Sequence, residues 1–597
     1  MANLIPPVNI LEPIEERIIE FKGLNRQLAV EEGEMSDMQN LTSDAYPLLT
    51  QRKARGRMQL PSGAIRPIQV MSMRDKIALV ARREDGYAFY YGGERVDAVV
   101  GMSETTKMVS INNKICFFPQ KTYLIVDPEG NIPRENPFGS LETTFEISIP
   151  ATVTVGTEYA TINLGAVHEF HRDDAVTTES TIRFKINDTY QEKEFNTSFA
   201  LNDVEGNKLI VPCEVINLAI EPGGTDITIT QGTISRTMPN LDYVAEWNNR
   251  LWGCSTADNT IYSSKLGDPT NWQYYQGTGL DSFYAQQGTD GEWTGIGKHS
   301  NHLLFFKEDS ICRVYGTAPS NYQLDNMEGF GVEKGSSASI VTINDDVFYK
   351  SKIGLMVYSG GTPTCISDKL NVSARNVVAG TEKRKYYASI QLKSGGHELI
   401  VLDVDKGVWH KEDNSKFRSC TTIGDRLHYV EYDGDITMCS VDLLCSEWLL
   451  VGNENIAGSI GVVNPINAYE DENLIEWKAV FGPFDEYIEE HKIYSKLAFR
   501  IQSGSDEGSD LVNEDDKRIL THSGESLGYP NWIKVYISID EGEWEQVDVR
   551  IPPTKKGDFI PIIPRRCDRY SVKIEGIGKC TIKTLTRRIR KGSFGRI

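Results

Sequence analysis

Long apolar runs are missing from this 597-residue sequence. None approaches the roughly 18 consecutive apolar residues that a membrane helix requires, so no membrane-spanning segment is expected. The opening MANLIPPVNILEPIEER lacks the basic-then-apolar order of a secretory signal. Synthesis in a cytoplasm, without export by the general route, is therefore expected. Helical periodicity is nearly absent, which points to an all-β chain. Ten cysteines are scattered with no C-x-x-C spacing, so neither a zinc site nor a redox motif is indicated, and they read as reduced, small core hydrophobes. No G-x-S-x-G elbow precedes a helix, and a chain without βαβ units gives no context for a P-loop or dinucleotide fingerprint. No catalytic residue, metal ligand or cofactor is expected. Cations are in deficit too: 63 Lys and Arg against 84 Asp and Glu leave a net charge of −21, which argues against coating nucleic acid through its phosphates.

What is present is a recurring phrase. It reads MRDKIALVARREDGYAFYYGG from Met73, INNKICFFPQKTYLIVD from Ile111 and WNNRLWGCSTADNTIYSSK from Trp247. It returns as HSNHLLFFKEDSICRVYG from His299, INDDVFYKSKIGLMVYSG from Ile343, SGGHELIVLDVDKGVWHKED from Ser394 and IGDRLHYVEYDGDITMCS from Ile423. Each copy sets an Asn, Asp or Gly turn before an alternating apolar run, then a polar turn and a second such run, which is a hairpin signature. The turns at Asp75 and Asn113 lie 38 positions apart, those at Asn301 and Asp345 44 apart, and those at Asp345 and Gly396 51 apart. Such spacings suit the blades of a propeller, read here as six to eight in number. One interval is anomalous, 136 positions from Asn113 to Asn249. A different β texture fills it, read as an all-β, sandwich-like domain inserted at residues 140–236.

The expected organisation is an extended arm over 1–60, first blades over 61–139, the insert over 140–236, remaining blades over 237–452 and a C-terminal jelly-roll-like β-sandwich over 453–597. In the arm, a helical turn is expected near Met35 to Leu41 with Ser36 as N-cap. The arm reads either as a strap on the propeller or as a subunit contact, and propellers commonly close by letting a terminal strand complete a blade. Period-2 segments from Trp477 to Leu585 build the sandwich, and the acidic, turn-rich stretch 503–530 reads as a mobile loop.

Three polar clusters are candidates for chemistry. In HEFHRDD, from His168 to Asp174, the two histidines fall on opposite faces of a strand, so a solvated loop is preferred to a metal site. Asp258, Asp268, Asp345, Asp346, Asp403, Asp405, Asp425, Asp433 and Asp435 occupy turn positions, where backbone reasons favour them over a glycosidase pair. The one basic stretch, KTLTRRIRKGSFGRI, holds Lys583, Arg587, Arg588, Arg590, Lys591 and Arg596 with no acid among them. It is read as an interaction patch. Contact with DNA phosphates is one reading and a merely solvated tail another; docking on an acidic face of a neighbouring subunit is preferred, because a ring of acidic subunits needs complementary patches to close.

Two stretches carry a resemblance beyond their physics. FKGLNRQLAVEEGEMSDMQNLTSDAYPLLTQRKAR, residues 21–55, resembles the opening of phage virion proteins. WNNRLWGCSTADNTIYSSKLGDPTNW, residues 247–272, resembles the tail nozzle (tail tubular) proteins of short-tailed bacteriophages, at Arg250, Leu251, Trp252, Tyr262, Ser264, Lys265, Gly267, Asp268 and Pro269. The resemblance covers about half the chain and implies a virion structural protein: a hexameric ring in a phage tail, assembled in the host cytoplasm. It implies portal or adaptor proteins above, fibre or tip proteins below, and viral DNA retained in and ejected through a channel without sequence-specific contact. An acidic wall suits that passage. Two alternatives stand beside it: a distal tail, baseplate or stopper component of another phage type, and a glycan-binding or glycan-cleaving propeller with Trp272, Tyr274 and Tyr275 as a sugar platform.

Overall fold

The computed structural model describes residues 13–53, 55–58, 60–423, 426–431, 436–438, 475–486, 492–503, 532–550, 558–578 and 580–591. The expected loop over 503–530 falls almost wholly outside these, as do Asp425, Asp433 and Asp435. Strands dominate. Among the described residues no helix is long and apolar enough to cross a membrane.

The chain is an all-β propeller with two further β modules. Seven four-stranded sheets supply the blades, over residues 66–95, 107–140, 243–286, 293–328, 341–365, 374–411 and 417–438. Each runs as a meander of neighbouring strands, and the turn between its first two strands explains the recurring phrase. Arg74 and Asp75 (φ 51° and 57°), Asn248 and Asn249 (49° and 58°), Asn112 (51°) and Asn344 (57°) all sit in the left-handed region. A two-residue hairpin needs that conformation, and Asn and Asp tolerate it best. Blade six departs from the spelling. There the corresponding turn is Lys383 (φ 54°) and Arg384, one strand earlier than the SGG phrase from Ser394. Placing it at Arg384 turns the 51-residue interval into 384 − 345 = 39, followed by 425 − 384 = 41. Apolar faces then meet between consecutive blades: Ile68, Phe89, Ile115 and Phe117 join blades one and two, and Trp252, Phe305 and Val314 join blades three and four.

The seventh sheet is built from both ends of the repeat run. Its fourth strand is Gly56–Met58, antiparallel to Ile436–Met438. The rest of the arm is strand, not helix: Glu34–Gln39 replaces the expected helical turn and pairs with Glu476–Phe484. The reason is tertiary, since the waiting edge of Glu476–Phe484 offers hydrogen bonds that a single helical turn cannot match. Ile14–Ile18 and Leu49–Gln51 likewise pair with Cys580–Lys591. The arm thus supplies strands to both six-stranded sheets of the C-terminal sandwich, whose interior holds Phe21 against Phe481 and Phe484 against Tyr570.

The insert lies between Phe138–Ser140 and Tyr243–Trp247. It is one eight-stranded sheet with the helix Cys213–Ala219. Phe195 and Phe199 from one edge strand share a core with Leu209 and Val211 from near the other edge, so the sheet curls around that core.

By contacts the chain divides into two compact units: residues 1–60 with 348–358 and 364–597, and residues 61–347 with 359–363. The division falls inside the fifth sheet.

Candidate functional site

A β-strand sends consecutive side chains to opposite faces, and this splits the basic stretch. Arg587, on the strand Cys580–Lys591, points into the sandwich and is 2% exposed. Its Nε donates to Glu486 at 2.9 Å, one terminal nitrogen donates to Glu32 at 3.0 Å, and the guanidinium lies 3.9 Å from the Phe484 ring centre. Burial disfavours its charge, yet the hydrogen bond to Glu486 and the surrounding carboxylates raise its pKa above the ordinary value. Arg587 is therefore not part of an interaction patch. The expectation is corrected because alternation put the residue inside.

Arg588 and Arg590 take the outer face. Arg588 sits in register with Lys496 on one neighbouring strand and with Glu15 on the other. One step along, Thr586 faces Ala498 and Arg17, and beyond it Thr584 faces Arg500. Glu15, Lys496, Ala498, Thr586 and Arg588 line a hollow of about 240 Å³, in which Arg588 Nε has no hydrogen-bond partner among the described residues. Among the described residues this outer face gathers Arg17, Lys496, Arg500, Arg588 and Arg590 against one carboxylate, Glu15. Three of these cations come from elsewhere in the sequence. Period-2 patterning of IEERI and IYSKLAFRI was the available signal, but pairing partners cannot be read from it. Lys591 ends the strand opposite Lys492. Arg596 lies outside the described residues.

The residues that carry the family resemblance form joints. Gly23 has φ +85°, and a Cβ there would come within 2.4 Å of the Trp409 carbonyl oxygen, so only glycine fits. Asn25 donates to Glu34 at 2.5 Å, and Lys369 reaches the same carboxylate at 2.7 Å. Arg26 grips Glu398 through two bonds of 2.8 and 3.0 Å, and Lys411 shares that carboxylate at 2.8 Å. Further along the arm, Asn40 accepts from Arg52 at 2.8 Å, while Arg55 pairs with Glu412 at 2.5 Å and with Asp413. Gly23→Ala is expected to cost about 2 kcal/mol or more through strain and backbone clash, read as a lower thermal midpoint. An unchanged midpoint would contradict this account of the close approach.

The second phrase seats the insert on blade three. Asp268 holds Thr270 and, at 2.5 Å, the Asn271 amide. Asn271 accepts the Ala175 N–H at 2.8 Å, and Arg236 pairs at 2.5 Å with the buried Asp174. The cluster HEFHRDD thus ends in a buried ion pair, with His168 tilted against Phe170. Trp272 is buried (2% exposed) and donates to the Pro269 carbonyl at 2.8 Å, so it is unavailable for a sugar platform. Tyr275 stays outside, edge-on to the exposed Tyr284 at 5.9 Å.

Several other reactive groups are held down or pushed up in pKa by burial. Burial pushes the thiols of Cys116, Cys312, Cys420 and Cys567 up to about 12, and holds His410 down to about 3 and His428 to about 4. Among the described residues no group of three or more His, Cys, Asp or Glu side chains is placed to hold a metal ion.

No protein-family model matches this chain, and no curated protein matches it. Among solved structures it is similar to Hsv2 of Kluyveromyces marxianus, with 10% identity over 44% of this chain and 73% of that one and a TM-score of 0.25. A putative 6-phosphogluconolactonase from Bacteroides fragilis has 12% identity over 65% and 88%, with a TM-score of 0.27. PorZ of Porphyromonas gingivalis, a surface component of the type-IX secretion system, has 10% identity over 90% and 78%, with a TM-score of 0.24.

Proposed function

We propose that this chain is a structural subunit of a phage tail, a nozzle-type ring protein that retains and then passes DNA and performs no reaction. The observation that carries the reading is the outer sandwich face, with five cationic side chains against one carboxylate among the described residues, in a chain of net charge −21. Such a face has favourable partners among acidic surfaces of its own kind, and charge complementarity steers them together. The joints support the same role. Arginine–carboxylate clamps at the arm and a hydrogen-bonded seat under the insert fix each module to the blade that carries it, as a subunit under mechanical load requires. The resemblance to tail nozzle proteins rests on the phrase from Arg250 to Pro269, of which Asp268 belongs to the seat under the insert. The exposed pair Tyr275 and Tyr284 favours a second reading, a glycan-binding propeller.

Native mass measurement and negative-stain imaging of the purified full chain test the first reading. A closed ring of about six copies is expected, and Lys496→Glu combined with Arg588→Glu should shift it toward monomer. A wild-type monomer at micromolar concentration, or a ring indifferent to the double reversal, would sink it.

A further inference from the structure

The insert leaves one long strand edge open. Thr189–Ala200 pairs along its whole length with Ala175–Ile186 in unshifted register, and among the described residues it has no strand on its other side. The phase of the ladder is set at both ends. Asn187 and Asp188 form a two-residue turn with φ of 47° and 61°, and the Leu201 N–H donates to the Asp174 carbonyl at 2.9 Å. Odd-numbered residues therefore bond inward, and Glu194, Asn196, Ser198 and Ala200 turn their backbone N–H and C=O groups outward.

Open edges are normally guarded by charge, proline or a bulge. The first half of this strand is guarded by Glu192, Lys193 and Glu194. The second half, FNTSFA from Phe195 to Ala200, has no charge and no proline, and its register has no bulge. A groove of about 580 Å³ runs along that unguarded half. Its opposite wall is the helix Cys213–Ala219, anchored in the core by Cys213 and Ile216 while Leu218 stands 88% exposed over the groove. Glu194, Glu214 and Asp173 line it against one cation, Arg172; Asp173 faces Lys265 at 3.8 Å, while Glu194 and Glu214 have no cationic partner among the described residues.

We propose that this groove takes an extended, basic peptide segment of a partner protein by strand addition. Backbone groups of the segment pair with the outward groups of Asn196 and Ser198. One apolar side chain covers Leu218, and Lys or Arg side chains reach Glu194 and Glu214. The two carboxylates select the charge of the occupant. The idea does not depend on the tail reading, and it survives if the chain proves monomeric.

The probe is a short capped peptide of alternating lysine and valine, titrated into the full chain by fluorescence anisotropy at physiological salt. Its control is the same peptide with alternate amides N-methylated, which keeps the charge but cannot pair. Wild type should bind the first at least about tenfold more tightly than the second, a gap of about 1.4 kcal/mol. Ser198→Pro, which removes an outward N–H without deleting an inward ladder hydrogen bond, and Glu194→Lys with Glu214→Lys should each weaken binding by about tenfold or more. Equal binding of the two peptides, no measurable binding, or variants that bind like wild type would overturn the proposal. So would a native mass that falls with Ser198→Pro, since the edge would then belong to a second copy.

Discussion

Arg587→Met is expected to destabilise the sandwich by about 3–5 kcal/mol, the usual result of removing one member of a buried ion pair. The arginine is 2% exposed, and Glu486, whose side chain is 6% exposed, would be left without its cation in the interior. The cation–π contact of Arg587 with the Phe484 ring would be lost as well. Methionine preserves most of the volume, so the loss reports the uncompensated charge and not a cavity. The check is hydrogen exchange across Glu476–Phe484 and Cys580–Lys591 in increasing denaturant, which isolates this module from the blades. Glu486→Gln in the same chain should restore part of the loss, because a neutral amide no longer has to be desolvated as an ion. A neutral single substitution, or a double variant no better than the single, would contradict the assigned role.

Arg250→Ala is expected to cost about 3 kcal/mol or more, and Arg250→Lys to recover little of it. Arg250 is fully buried and donates only to backbone carbonyls: Ser264 at 2.8 Å, Gly279 at 2.7 Å and Asp281 at 2.5 Å. A planar fork holds the long loop between Thr260–Ser263 and Phe283–Gln286 at several points together. A lysine ammonium has neither the shape nor the reach to replace it. That loop also carries Asp268 and Asn271, so releasing it should unseat the insert. Faster amide exchange at Ala175 and across residues 264–282, with the insert's own sheet still protected, is the expected pattern. Exchange confined to the arginine's own strand would show that the loop holds itself.

The blades were legible because their first turn demands a left-handed conformation that Asn and Asp supply, so turn chemistry printed a period on the chain. Blade six was misplaced for the same reason, since Lys383 adopts that conformation without any spelling that announces it. The strand Asp558–Cys567, broken by prolines, was not anticipated either. The arm could not be read locally. Its strands are short and weakly patterned, and what makes them strands is an edge some 440 residues away, as Asp37 facing Val480 shows.

The candidate face divides the same way. Charge content, β alternation, the repeat and the two joint phrases are properties of local sequence, and from them the chain alone determined an acidic, all-β propeller with inserted and terminal modules. Which cations stand together was decided only by folding. Arg17, Lys496 and Arg588 become neighbours through cross-strand register, while Arg587, adjacent to Arg588 in sequence, is turned by the pleat into the interior. Hydrogen-bond pairing between distant strands is the physical cause, and no local pattern encodes it.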